Sequence, residues 1–355
     1  MSPQSSTPSR GTRGKRLLRA GAAFAVLVGL GVYLVVQYVT GGPGAPRCSV
    51  RAADGGKPYE ISPEQAANAA TISAVGSARG LPQRAVTIAL ATAMQESGLR
   101  NIGFGDRDSV GLFQQRPSQD WGTVEQIMDP VYSAGEFYTH LVKVPGYSRL
   151  PLTVAAQKVQ RSGFPQAYAK HEPDAALLTG ALTGRDGAAM TCSVNRPADR
   201  KRPGGTDEVR KKLVREFGPD VLPHPDGTAP GGKDDGGDGG KDGGRVLTVP
   251  ARAVSHGDAE DAGDPGVAGA AAGPGQAGGA SAAGAGSGSA AGSGAERRGW
   301  ELATWAMAHS GALGIEQISY AGKMWSAADS GKGWQKATGA AARASGTDVR
   351  IVTAK

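Results

Sequence analysis

Cysteine is nearly absent from this chain: Cys48 and Cys192 are the two in 355 residues, which leaves room for one intramolecular disulfide. Histidine is scarce too, and the five are scattered without metal-ligand spacing. That excludes a zinc site of familiar pattern, and no metal and no cofactor are expected. Residues 59–193 hold no convincing apolar–polar alternation, so this stretch is predicted to be α-rich. Long apolar runs are limited to Ala20–Val39, twenty residues with no charge and one amide, Gln37. A single span with no charge inside it speaks against a transporter or channel. An acidic excess is also lacking: 39 Lys and Arg stand against 32 Asp and Glu, a net charge of +7. Such a balance suggests nucleic acid, but much of it sits in the N-terminal arm, where it faces anionic lipid, and no nucleic-acid partner is expected.

Placement in the cell follows from that arm. Arg10, Arg13, Lys15, Arg16 and Arg19 precede the apolar run, and no comparable cluster follows it closely. The run is long enough to span a bilayer as a helix. Basic residues stay inside, so the N-terminus is predicted to be cytoplasmic and everything after about residue 40 outside. A cleaved signal peptide is the rival reading, but Gly41-Gly42-Pro43-Gly44-Ala45-Pro46 is a poor cleavage site. Outside the membrane a Cys48–Cys192 disulfide can form and persist, with two free thiols as the alternative.

The expected organisation is a basic arm (1–19), a transmembrane helix (20–39), a linker (40–58), a helical domain (59–193), a linker (194–204) and a small α/β domain (205–355). Ser62-Pro63-Glu64-Gln65 reads as a helix start. Helices are predicted at about 63–78, 82–96, 124–128, 130–143, 152–162, 165–183 and 205–223. Strands are predicted at 245–249, 315–320 and 349–353, with a helix over 296–310. Residues 226–244 and 262–295 are dominated by Gly with Asp and Lys or with Ala and Ser, and are expected to be disordered.

The chemistry concentrates around Glu96. Ala85, Ala89, Thr92, Ala93 and Glu96 recur at helical spacing, so Glu96 ends a helix while lying along its mostly apolar stripe. Partial burial there disfavours the carboxylate, and a raised pKa suits a general acid at neutral pH. Ser97-Gly98 breaks the helix, and Gly111-Leu112-Phe113-Gln114-Gln115 follows fifteen positions after Glu96. Gly111 suits close backbone approach to a ligand. Gln114 and Gln115 offer amide donors and acceptors for a polar ligand, although Gln115 also reads as merely solvated. Trp121 is either a sugar platform or a lid on the core. Asp106 and Asp108 are the nearest candidates in sequence for a second carboxylate.

Glu96-Ser97 with Gly111-Leu112-Phe113-Gln114 resembles the active-site segment of the soluble lytic transglycosylase and goose-type lysozyme superfamily, with Phe113 in place of the usual Met. The resemblance covers roughly residues 60–190. It implies a lysozyme-like helical domain, so the expected fold class is mainly α: that domain after one N-terminal transmembrane helix, plus the small α/β C-terminal domain interrupted by low-complexity sequence. It also implies cleavage of the MurNAc–GlcNAc bond of peptidoglycan glycan strands by a single Glu, Glu96, with Gln114 at a substrate-contacting position. The family's aromatic-Asn-Ala-Gly run has no counterpart: residues 155–163 read AAQKVQRSG, where Gln157 or Gln160 stands in as an amide. Tyr168 falls where the family often has a Tyr near the catalytic Glu, or it is a plain core residue. The tail, through Gly299-Trp300-Glu301-Leu302-Ala303-Thr304-Trp305, Trp325 and Gly333-Trp334, resembles a small α/β domain of actinobacterial secreted proteins. That domain is related in pattern to zinc D-Ala-D-Ala carboxypeptidases. Its Asp-His-Val-His strand here reads Asp348-Val349-Arg350-Ile351, without His, so a binding or structural remnant is expected and not a peptidase.

Overall fold

Ser62-Pro63-Glu64-Gln65 opens helix α1 (Pro63–Ala78) in the computed structural model of the chain. Ser62 Oγ accepts from the Gln65 backbone N–H at 3.2 Å, and the Gln65 side-chain oxygen accepts from the Ser62 N–H at 2.8 Å. Two donors of the helix start that have no partner within the helix are thereby satisfied. The structure describes residues 28, 29, 31, 46–52, 55–162, 165–194, 205–223, 244–252, 287–343 and 347–354. The basic arm, nearly all of the predicted span and most of both low-complexity stretches lie outside these. Among the described residues no helix is long and apolar enough to cross a membrane. The chain divides into two units, Met1–Ala45 and Pro46–Lys355, and the elements below belong to the second.

α1 is buried on almost every side through Ala66, Ala69, Ala70, Ile72, Ala74, Val75 and Gly76, as a central helix must be. Its small residues let neighbours approach closely. A Cβ on Gly76 would sit 2.8 Å from the Tyr138 hydroxyl, which donates to the Ile72 carbonyl at 3.0 Å. α2 (Gln83–Ser97) lies against α1, with Pro82 as its N-cap, one position before the first-turn place expected for it. α3 (Val124–Ile127) and α4 (Pro130–Leu141) follow, and α4 buries Ala134, Phe137, Tyr138 and Leu141 as its periodicity predicts. α5 (Leu152–Gln160) ends where Arg161 takes a left-handed φ of 51°.

Three expectations change here. The helix predicted over 165–183 is a 3-10 segment, Pro165–His171, followed by α6 (Glu172–Leu182). An α-helix running through would need the N–H that Pro173 lacks. Residues 48–61 are not only linker and the helical domain is not strand-free: β1 (Cys48–Val50), β2 (Tyr59–Ile61) and β3 (Met190–Cys192) form an antiparallel sheet in the order β2-β1-β3. Three-residue strands are too short for alternation to show in sequence. Cys48 stands directly opposite Cys192, and the two form a disulfide with Cα atoms 3.9 Å apart.

The remainder is helix and sheet: α7 (Thr206–Phe217), β4 (Val246–Pro250), α8 (Ser287–Ala308), α9 (Ser310–Leu313), β5 (Ile315–Tyr320), β6 (Lys323–Ser326), β7 (Gln335–Lys336), α10 (Gly339–Arg343) and β8 (Asp348–Thr353). The strands form one antiparallel sheet ordered β4-β8-β5-β6-β7. α8 begins at Ser287, within the stretch expected to be disordered. The fold is thus mainly helical with a small sheet at the C-terminus.

This tail shares its core with the first helices, and buried residues from Cys48 to Ile351 make one hydrophobic cluster. The indoles of Trp325 and Trp334 donate to the carbonyls of Cys192 (3.1 Å) and Met190 (3.0 Å) on β3. Deeper in, Glu216 of α7 accepts from Thr71 of α1 at 3.0 Å, from Trp305 of α8 at 2.6 Å and from Lys212 at 2.7 Å. A buried carboxylate is tolerated only with such a full set of partners.

Candidate active site

Glu96 is the penultimate residue of α2 and is half-buried. The chain turns sharply after it, because Gly98 (φ 63°) and Leu99 (φ 60°) are both left-handed. Leu99 is a strained position, held by amides from α1: Gln65 donates to the Gly98 carbonyl at 2.7 Å and Asn68 to the Leu99 carbonyl at 2.9 Å. The sequence reading missed these two positioning residues. Gln65 reads in sequence as a capping residue and Asn68 as one of several polar residues of α1, so neither signals this role.

Ser97 then ties this helix end to the later loop. Its hydroxyl donates to the Leu112 carbonyl at 2.7 Å and accepts from the Arg100 N–H at 3.2 Å. The loop carrying residues 111–115 is fixed at its base by a bond from the Gly111 N–H to the Ile102 carbonyl, 2.7 Å, and by reciprocal backbone bonds between Val110 and Gln115. Phe113 is buried and stacks on Phe137 with centroids 4.6 Å apart. Fifteen residues of separation are thus closed into one unit around the end of α2.

Two groups converge on the Glu96 carboxyl. Tyr168, fully buried on the 3-10 segment, donates its hydroxyl to Glu96 Oε1 at 2.6 Å. Gln160, at the end of α5, lies beside Glu96 and favours its ionised form, and its amide donates to the Phe113 carbonyl at 2.8 Å. Desolvation raises the Glu96 pKa from its ordinary value, against the opposing pull of Tyr168 and Gln160. Burial and the neighbouring Glu96 push the Tyr168 phenol well up, so it remains a protonated donor. His171, one 3-10 turn beyond Tyr168, lies 3.1 Å from Gln95 Oε1. Its burial and Lys170 lower its pKa and favour the neutral ring.

The other sequence-predicted residues take different places. Gly111 has φ 81°, and a Cβ there would lie 2.8 Å from the Ile127 carbonyl, so the close approach is to backbone rather than to a ligand. Gln115 is neither solvated nor open to a sugar: it is buried and donates to the Ser133 carbonyl at 3.0 Å. Gln114 is half-buried with φ 48°, and its amide turns back to the Gly111 carbonyl at 3.2 Å. Gln157 donates to the Ser162 carbonyl at 2.7 Å, so Gln160 is the amide beside Glu96. Trp121 packs on the core and stacks with His140 at 4.2 Å, as a lid does. Asp108 is engaged by Arg116 and by the Ser118 N–H, both at 2.8 Å, and these bonds hold its carboxyl far below the usual range. Asp106 is exposed on the same loop. Among the described residues no group of His, Cys, Asp and Glu is arranged to hold a metal ion.

Comparison with known families touches the other end of the chain. Residues 273–347 match the family described as VldE, C-terminal domain. No curated protein matches the chain. The match covers α8, α9 and α10 and the sheet strands β5–β7. It does not extend to the Glu96 segment.

Proposed function

We propose that this protein is a peptidoglycan glycosidase that cleaves the MurNAc–GlcNAc bond, acting as a lytic transglycosylase with Glu96 as the single acid and base. The observation that carries the reading is the Glu96 carboxyl itself: desolvated at a helix end, shifted toward its acid form, and oriented by Tyr168 and Gln160. A carboxylic acid in this setting protonates the glycosidic oxygen as the C–O bond breaks. The resulting carboxylate then takes the proton from the muramoyl C6 hydroxyl, whose oxygen closes on C1 with help from the N-acetyl group. The product is a 1,6-anhydro sugar, no water is consumed, and Glu96 regains its proton. Tyr168 holds the carboxyl in place through both steps. The wall-facing location follows the sequence reading: residues 20–39 anchor the chain in the cytoplasmic membrane, the N-terminus lies inside, and the partner is the glycan strand rather than nucleic acid.

The full chain incubated with purified peptidoglycan is expected to release muropeptides with anhydro ends, detected by mass. Glu96→Gln keeps the shape but cannot donate the proton, so release should fall by a factor of about 100 or more. No anhydro or reducing-end product from several walls would refute the enzyme, and reducing ends alone would make it a hydrolase. A second reading, a non-catalytic wall-binding protein, is favoured by the self-engaged amides of Gln114 and Gln157. It predicts that the chain pellets with insoluble peptidoglycan without turnover, equally in the wild type and in Glu96→Gln.

A further inference from the structure

Among the described residues β3 is the edge strand of its sheet, so one row of its backbone groups has no strand beside it. Ser193 and Ala189 turn toward β1. The Ser193 N–H donates to the Arg47 carbonyl at 2.7 Å, and the Ala189 carbonyl accepts from the Arg51 N–H at 3.1 Å. Backbone groups of successive strand residues point to opposite sides, so Met190, Cys192 and Val194 turn outward. The tail engages this outward row with three side chains. The Trp334 indole donates to the Met190 carbonyl and the Trp325 indole to the Cys192 carbonyl. Ser330 Oγ accepts from the Val194 N–H at 3.1 Å. Between them Gly333, left-handed at φ 65°, packs so closely that a Cβ would lie 3.1 Å from the Thr191 hydroxyl. Residues 325–334 thus grip alternate residues of one strand.

That grip requires one register. A slip of β3 by one residue would turn Thr191 and Ser193 outward, and the three tail groups would meet the wrong atoms. Hydrogen bonds alone specify the register of three-residue strands weakly. The covalent bond forbids the slip, because it keeps Cys48 and Cys192 opposite each other. Cys192 belongs to both devices: its sulfur is in the disulfide, and its carbonyl holds Trp325. We infer that the disulfide and the tail form a redox-sensitive latch, in which reduction of Cys48–Cys192 loosens residues 325–334 from β3. The coupling is reciprocal: whatever the disulfide adds to tail docking, tail docking adds to the disulfide. A dithiol supplies the two electrons. Its thiolate attacks one sulfur to form a mixed disulfide, and the other cysteine leaves as a thiolate and takes a proton. The second thiol of the reductant then closes a cyclic disulfide and releases the first cysteine as a thiol. The inference is independent of the Glu96 reading.

Both cysteines are buried, so the test reads an equilibrium and not a rate. The full chain in mild detergent is equilibrated with mixtures of reduced and oxidised dithiothreitol. Thiols are trapped with iodoacetamide and counted by mass. Ser330→Ala and Trp334→Phe each remove one bond that the latch makes only in the oxidised protein. Each should therefore raise the equilibrium constant for reduction about fivefold. Tyr138→Phe removes the bond to the Ile72 carbonyl, which both redox states make, and should leave that constant unchanged. Hydrogen exchange read by mass is the second arm. In the reduced protein the amides of residues 323–336 should exchange about tenfold faster, while those of α2 keep their oxidised rate. A constant unchanged in Ser330→Ala or in Trp334→Phe, or raised equally in Tyr138→Phe, would overturn the latch. Unchanged exchange over 323–336 would do the same. So would faster exchange throughout the chain, α2 included, because reduction would then loosen the whole fold.

Discussion

Glu96 shows how a single side chain trades stability for chemistry. Its carboxyl is desolvated in the folded protein and meets water in the unfolded one, so its folded pKa is the higher of the two. Below the ordinary carboxyl value, about 4.3, both states are protonated and no penalty exists. As pH rises through the window between that value and the raised one, the unfolded chain ionises first and the fold loses stability. Above the raised value the loss is constant. Glu96→Gln removes the titration and keeps an amide within reach of Tyr168. The variant is therefore expected to melt at or above the wild type at pH 7, with the difference vanishing near pH 4. Melting curves across that range check it. A variant less stable at pH 7 than at pH 4, relative to wild type, would mean that the hydrogen bonds outweigh the desolvation.

Among elements, the least conspicuous closes the helical segment on itself. β1, β2 and β3 are three residues each, too short to hold themselves together in water. Their sheet joins the start of the helical segment to its end, and the Cys48–Cys192 bond fixes the one register in which the two residues face each other. Closing a loop of this length is worth about 3–5 kcal/mol in the chain-entropy account. Replacing both cysteines by Ser should lower stability by that order in a denaturant titration. Turnover at low temperature should persist, because the disulfide lies in this sheet and none of the groups that hold Glu96 does. An unchanged midpoint would show that the sheet and its Trp325 and Trp334 bonds hold the register without the covalent bond.

On the scale of the molecule, the tail is part of the fold that supports Glu96. α1 contributes Gln65 and Asn68 to the Glu96 turn and, further along, Thr71 to Glu216 and Ser77 to Arg298 of α8. Arg298 pairs with Glu301 at 2.7 Å and lies over the Phe217 ring at 4.5 Å, almost wholly buried. One helix thus braces the candidate site and carries the tail. Calorimetry should show a single cooperative transition rather than separate helical and sheet transitions. Glu216→Ala strands the Trp305 N–H and a half-buried Lys212, and should lower that transition by roughly 2–4 kcal/mol without splitting it. Two transitions, or a Glu216→Ala variant that shifts only one, would mean the tail folds independently.

Local backbone chemistry was legible in the residues themselves. Ser62 and Gln65 announce a capping box, Gly98 a helix end, Ala134, Phe137, Tyr138 and Leu141 a core stripe, and all are found so. The placing of Glu96 at the end of a small-residue helix, and the pairing of two lone cysteines, needed nothing more than spacing and count. Other features depend on partners far along the chain. Tyr168 meets Glu96 across 72 positions, Gln160 meets Phe113 across 47, and Trp325 meets Cys192 across 133. No periodicity distinguishes a Tyr that packs in a core from one whose hydroxyl reaches a carboxylate. Nor does composition tell Gln160, which turns to Glu96, from Gln157, which bonds Ser162. Helix caps and core stripes are set by forces that act within a turn or two of chain, and the sequence by itself determined those. Which amide and which phenol close around the carboxyl, and which strand receives the Trp325 and Trp334 indoles, was decided only in the tertiary structure, because burial and hydrogen-bond geometry are properties of packing rather than of sequence order.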